Sequence, residues 1–361
     1  MSLVQTEIKN KVGIITLNSE KTLNALSLPM IEELQTVLTD WKTSNRIACI
    51  FLQGAGEKAL CAGGDVRKLY DAIIAQKTID PAEVPQDCFD FFSKEYQVDY
   101  EIHTYPKPVI VWGNGIVMGG GIGLMVGASH RIVTEKSKLA MPEITIGLYP
   151  DVGGTWFLNT MPSAYGLYLG LTGARLDGAD CIFLGLADYY GESSSKETIL
   201  RALEQADWSD NPYKTVSDIL DHITESVSVP ESQAAAHQWF IQHFEGVNSV
   251  DQFKDILMNE PQKDDWINMG VKSFTAGSPS SAHIIFRQLK QGEHLSLKEV
   301  FRSELNLSCQ CCIHPDFAEG VRALLVDKDQ SPQWWPAALN DITTEWIDSY
   351  FAEFKAENFQ L

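Results

Sequence analysis

Val109-Ile110-Val111-Trp112-Gly113-Asn114-Gly115-Ile116-Val117-Met118-Gly119-Gly120-Gly121-Ile122-Gly123 is the stretch that decides how this chain reads. An apolar, β-rich run enters through Lys107-Pro108 and ends on glycines, the pattern of a buried strand. A glycine loop between a strand and a helix lets backbone amides meet a ligand with no side chain in the way. The dinucleotide pattern G-x-G-x-x-G does not fit the obvious register, because Met118 stands where the third glycine belongs, and no Walker lysine follows. What remains is a set of unhindered amides at the positive end of a helix, Gly119-Gly120-Gly121, suited to an acyl oxygen that acquires charge. Close helix packing also asks for small residues, and the two readings are compatible.

Outward from this stretch, strand and helix signals alternate. Val4 to Ile8 and Val12 to Leu17 read as strands joined by a tight hairpin at Asn10-Lys11. Met30, Ile31, Leu34, Val37, Leu38 and Trp41 recur at helical spacing, and Ile47 to Leu52 is a buried-type strand. Helices are expected over Val66 to Ala75, Cys88 to His103 and about Gly121 to Ala128, and a strand over Arg131 to Thr134. The repetition predicts an α/β protein with crossover connections. Strand signals fade from about Gly178, and residues 185–265 are acidic, polar and helix-prone. We therefore expect an α/β core over residues 1–185 and a mainly helical region over 186–361 packed on it, without a tethering linker.

Composition narrows the function classes. With 28 basic and 48 acidic residues the formal charge is -20, which argues against nucleic-acid binding, since that needs a basic face. No apolar run approaches the roughly 18 residues that span a bilayer, and the N-terminal residues lack a signal-peptide pattern. The 7 cysteines are odd in number and irregular in spacing, and read as reduced thiols of a cytoplasmic protein. Cys309, Cys311, Cys312 and His314 lack the second ligand pair of a structural zinc site, so no metal is expected. The charge suits a monomer or small homo-oligomer.

Three further motifs carry candidate chemistry. Leu60-Cys61-Ala62-Gly63-Gly64-Asp65 is a small-residue turn before a helix, where amides can face a carbonyl oxygen. In Met141-Pro142-Glu143-Ile144-Thr145-Ile146-Gly147-Leu148, Glu143 is the lone carboxylate among apolar and small residues. Such surroundings raise its proton affinity and suit an acid, base or nucleophile. Asp151 follows in Tyr149-Pro150-Asp151-Val152-Gly153-Gly154; a turn or N-cap aspartate would read the same way.

Together these motifs resemble the crotonase (enoyl-CoA hydratase/isomerase) superfamily, over about residues 1–185. The resemblance implies a spiral of repeated ββα units and an oxyanion hole made by the amides of Ala62 or Gly63 and of Gly120. Hydratases of the superfamily carry Gly-Gly-Gly-x-Glu, whereas this chain has Gly123 at the glutamate position. Met141 to Gly154, the segment Phe91-Phe92-Ser93-Lys94-Glu95-Tyr96 and the segments Asp316 to Ala323 and Asp327 to Pro332 are instead similar to the 3-hydroxyisobutyryl-CoA hydrolase branch. That likeness implies hydrolysis of a short branched 3-hydroxyacyl-CoA to the free acid and CoA, a step in valine breakdown. It assigns Glu143 as nucleophile or general base and Asp151 as binder of the 3-hydroxyl or of water. Glu95, Gly119 and Gly120 would line the substrate site. No cofactor is implied, since CoA is part of the substrate, and its adenosine and phosphates are expected near Asn24-Ala25-Leu26, Lys58, Arg67 and Lys68. An enoyl-CoA hydratase or isomerase is the alternative, and a non-catalytic acyl-CoA-binding relative is a further one.

Overall fold

The structure, a computed structural model, describes residues 2–354, 359 and 361. In chain order its strands are β1 (Val4–Lys9), β2 (Val12–Leu17), β3 (Cys49–Gly54), β4 (Ala59–Cys61), β5 (Val109–Gly113), β6 (Ile116–Met118), β7 (His130–Thr134), β8 (Lys138–Ala140), β9 (Leu176–Asp177) and β10 (Tyr189–Gly191). They form a larger sheet ordered β1-β2-β3-β5-β7-β10 and a smaller one ordered β4-β6-β8-β9. β1 and β2 pair antiparallel. Asn10 and Lys11 between them have φ 41° and 67°, the left-handed pair that a two-residue hairpin requires. From β2 onward the larger sheet is parallel, so each pairing needs a crossover, and helices fill those connections.

Alternate residues of the strands build one apolar layer: Val12 and Ile14, Cys49 and Phe51, Ile110 and Trp112, with Ile132. It is covered by Ile199, Leu200 and Leu203 of helix Lys196–Gln205 and by Val216 and Leu220 of helix Pro212–Thr224. Part of the acidic middle stretch, which carries little chemistry in the sequence, thus covers the sheet.

The chain divides into two compact units, each assembled from three segments. The first comprises Met1–Gly64, Gln97–Leu139 and Leu176–His237; the second comprises Asp65–Tyr96, Ala140–Arg175 and Gln238–Leu361. The expected boundary at residue 185 falls inside the first unit. The cause is β10, a run of 3 residues that pairs parallel with β7, Tyr189 opposite Ile132, and keeps the chain in the sheet. So short a strand shows no period in the sequence.

The second unit is helical. Two close approaches hold its short 3-10 turn Glu143–Ile146. A Cβ added at Gly147 would lie 2.2 Å from the main-chain oxygen of Asp316, and one at Gly320 would lie 2.4 Å from the carbonyl carbon of Ile146. Gly147 also has φ 71°, where a side chain is strained.

Candidate active site

The first unit presents amides. β4 and β6 are adjacent parallel strands, so the turn after Cys61 and the glycines after Met118 leave the sheet side by side. Gly119 precedes helix Gly120–Val126 at φ 48° and ψ -123°, a conformation open to glycine. The helix start lies so near β4 that a Cβ on Gly121 would be 2.5 Å from the Cys61 carbonyl oxygen. Of the two amides that the sequence left open in the first turn, that of Ala62 is already spent: it donates to Leu23 O at 3.0 Å. The Gly63 amide is directed at Cys61 Sγ at 3.4 Å. The amides of Gly64 and Gly120 have no acceptor among the described residues. Gly120 thus keeps its expected availability, and Gly64 replaces Ala62 as the free donor of the other turn.

The second unit presents carboxyls. Glu95, from helix Gln86–His103, Glu143 and Asp151 are all buried. Burial pushes Glu143 well above the usual carboxylate range, and the charges of Asp151 and Glu95 push it further. Burial, then Asp151, does the same to Glu95. Asp151 is raised to about 6 by burial, although the Tyr96 hydroxyl, which donates to its Oδ2 at 2.7 Å, pulls it down. No lysine or arginine among the described residues offsets the three. Carboxyls so placed hold their protons to higher pH than exposed ones do. Glu143 Oε2 and Glu95 Oε1 are buried without a hydrogen-bond partner among the described residues, two polar atoms left over for a ligand.

Residues that the sequence reading missed hold these groups. From helix Leu297–Ile313, Glu304 accepts from the Gly153 amide at 2.7 Å and the Thr155 amide at 2.9 Å. It thereby clamps the turn that follows Asp151. Ser308, one turn on, lies 2.7 Å from the Tyr96 hydroxyl and 2.9 Å from that of Tyr149. Val300, Phe301, Glu304, Leu305, Ser308 and Cys311 share the buried stripe of that helix, so two polar residues on an apolar helical face were the readable signal.

Glu304 is raised to about 8, chiefly by burial, from an ordinary 4.5. The folded state therefore binds this proton more tightly than the unfolded chain does. Its favourable contribution is complete below about pH 4.5 and is lost as pH rises through about 8. Wild type is expected to lose thermal stability relative to Glu304→Gln over that window, measured as the difference in Tm at each pH. A difference independent of pH would remove Glu304 from this account.

Other expected ligands have local duties. Asn24 is buried and its Nδ2 donates to Ala55 O at 3.0 Å and Ala59 O at 3.1 Å, so its side chain ties the loop before β4. Lys58, Arg67 and Lys68 are exposed. Cys309, Cys311 and Cys312 are buried free thiols. His314 has Nδ1 2.7 Å from Gln310 O and Nε2 2.8 Å from Ser349 Oγ. A cleft of about 360 Å³ in the second unit, lined by Thr145, Arg175, Lys272 and Leu324 among others, includes none of the three carboxyls.

Over residues 12–351 the chain matches the enoyl-CoA hydratase/isomerase family, and it belongs to that family. Among its relatives, the mitochondrial 3-hydroxyisobutyryl-CoA hydrolase of Danio rerio is 37% identical, across 100% of this chain and 92% of its own length. The mitochondrial 3-hydroxyisobutyryl-CoA hydrolase of Homo sapiens is also 37% identical, across 96% and 88%. A crystal structure of a carnitinyl-CoA dehydratase from Mycobacterium thermoresistibile matches with a TM-score of 0.86 and 30% identity, over 99% of this chain and 98% of that one. The fold is accordingly the α/β crotonase architecture that the resemblance implied. The cytoplasmic expectation is corrected: both hydrolases are mitochondrial enzymes. Composition and free thiols carry no address that separates the two compartments. Among the described residues no helix is long and apolar enough to cross a membrane.

Proposed function

We propose that the chain hydrolyses the thioester of 3-hydroxyisobutyryl-CoA to the free acid and CoA, a step in valine breakdown. The observation that carries the reading is the buried set Glu95, Glu143 and Asp151 with its two unpartnered oxygens, in a chain related to hydrolases of that name. Thioester attack places negative charge on the acyl oxygen. The free amides of Gly64 and Gly120 are suited to it, each worth about 3 kcal/mol of barrier. Glu143 attacks the carbonyl carbon, CoA leaves, and water opens the resulting anhydride. Asp151 handles the protons, and Glu95 holds the 3-hydroxyl. A site that hydrogen-bonds a hydroxyl discriminates strongly against acyl groups lacking one, because its buried polar atoms are then left unpaired.

The hydration reading takes support from the dehydratase of similar structure. Gly123 weighs against it, since a two-glutamate mechanism has no second glutamate there. Thiol release separates the two. Free CoA is expected from 3-hydroxyisobutyryl-CoA, with more than tenfold lower kcat/KM for isobutyryl-CoA. Turnover of crotonyl-CoA without thiol release from any 3-hydroxyacyl-CoA would sink the hydrolase reading.

A further inference from the structure

Behind Asp151, within the second unit, oxygens stand in a line. Asp151 Oδ2 lies 2.7 Å from the Tyr96 hydroxyl, which lies 2.7 Å from Ser308 Oγ. Ser308 Oγ lies 2.9 Å from the Tyr149 hydroxyl, which lies 2.7 Å from the main-chain oxygen of Glu304. All five residues are buried. Oxygens at these separations attract only with a hydrogen between them. The line therefore needs four hydrogens, and its three hydroxyls bring three.

The ends of the line decide where the shortage falls. The Glu304 carbonyl only accepts, so the Tyr149 hydrogen is committed to it. If Asp151 is a carboxylate it also only accepts and takes the Tyr96 hydrogen. Ser308 then has one hydrogen for two neighbours, and one buried oxygen pair faces its partner with none. A proton on Asp151 supplies the missing hydrogen. Every bond then points the same way, from Asp151 through Tyr96, Ser308 and Tyr149 to Glu304 O.

The geometry points to Ser308 and Tyr149 as positioning residues that, through the Tyr96 hydroxyl between them and the carboxyl, hold a proton on Asp151, so that it serves first as the acid for the departing CoA sulfur and then as the base for water. The second half of this statement rests on the hydrolase reading. As the C–S bond breaks, its electron pair goes to sulfur and the Asp151 proton follows. Asp151 becomes a carboxylate, the Tyr96 hydrogen turns to it, and one contact in the line is left bare. Water then attacks the acyl carbonyl of the Glu143 anhydride. One water proton goes to Asp151, and the C–O bond to Glu143 breaks with its pair on the Glu143 carboxylate. The line is full again, and the sum is thioester plus water giving acid plus thiol. The bare contact makes the charged state of Asp151 costly, which favours its return to the acid.

The titratable groups acting with Asp151 are Glu95 and Tyr96 of helix Gln86–His103, Glu143, Tyr149, and Glu304 and Cys311 of helix Leu297–Ile313. None of them is a cation, and within this set only the Tyr96 hydroxyl, which donates to Oδ2, favours the carboxylate of Asp151.

The test is an infrared titration of the free enzyme, reading the carbonyl band of the protonated acid that disappears in Asp151→Asn. Ser308→Ala and Tyr149→Phe each remove a contact that the carboxylate form leaves bare. Each is expected to lower the Asp151 midpoint by about one pH unit, a tenfold change in its acid-to-base ratio. Tyr96→Phe takes away the donor of the carboxylate and is expected to raise the midpoint. A residue that only packs would change Tm and leave the midpoint in place. An unmoved or raised midpoint in both Ser308→Ala and Tyr149→Phe overturns the inference, and either variant suffices if the other does not fold. The titration uses no substrate, so its outcome is separate from that of the thiol-release assay.

Discussion

Glu143→Gln is expected to lower CoA release by about 10³-fold, within the range usual for a positioned proton-transfer group or activated nucleophile. The amide has the same shape but neither attacks a carbonyl nor takes a proton. The same substitution is expected to raise Tm. In the folded protein the Glu143 carboxyl is disfavoured as an anion by burial and by the charges of Asp151 and Glu95. A neutral isostere removes that conflict, the usual relation between a strained site and stability. Thiol release and thermal melting check the two halves together. A variant slowed only a few-fold would place Glu143 outside the chemistry, whatever its Tm.

Gly121→Ala is expected to cost about 3 kcal/mol of stability, the upper end for overpacking, and about 10²-fold in kcat with a smaller change in KM. Its new methyl would stand 2.5 Å from the Cys61 carbonyl oxygen and 3.0 Å from Cys61 Cβ. The nearest obstacle is backbone, so the start of helix Gly120–Val126 has to retreat from the end of β4. The Gly120 amide moves with it, and an amide displaced by about 1 Å no longer meets the oxygen in the transition state. Denaturant unfolding and steady-state kinetics measure both effects. A normal kcat in a destabilised Gly121→Ala would show that the Gly120 amide is not placed by this contact.

What the sequence made legible was local. The glycines at 119–121, Glu143 and Asp151 each announced themselves through immediate neighbours, because a bare amide or a lone carboxylate is conspicuous in its own turn. The hairpin at Asn10-Lys11 and the helices over 28–42 and 66–77 were legible for the same reason, as periods written in consecutive residues. What stayed hidden depends on distant partners. Tyr96 meets Ser308 across 212 residues, and Glu304 reaches Gly153 across 151. Nothing near Glu304 in sequence shows that it caps another segment. The choice between Ala62 and its neighbours was equally hidden. It turned on whether Leu23, far back in the chain, had already claimed an amide.

The interleaving of the two units bears on how the protein is made. When synthesis reaches His237, all three segments of the first unit exist, but the second has only Asp65–Tyr96 and Ala140–Arg175. Those segments carry Phe91, Phe92, Tyr96, Tyr149 and Phe157, all buried in the finished protein, and the acidic groups of the site. Their partners, from Trp266 to Phe317, leave the ribosome in the last third of the chain. Until then these apolar stretches lack those partners, such as Phe317 for Phe92 and Phe301 for Tyr96, and exposed apolar surface is what makes nascent chains aggregate or engage chaperones. A stop codon late in the message would therefore harm the chemistry as surely as one near the start, because the residues that carry it are encoded early and sheltered last.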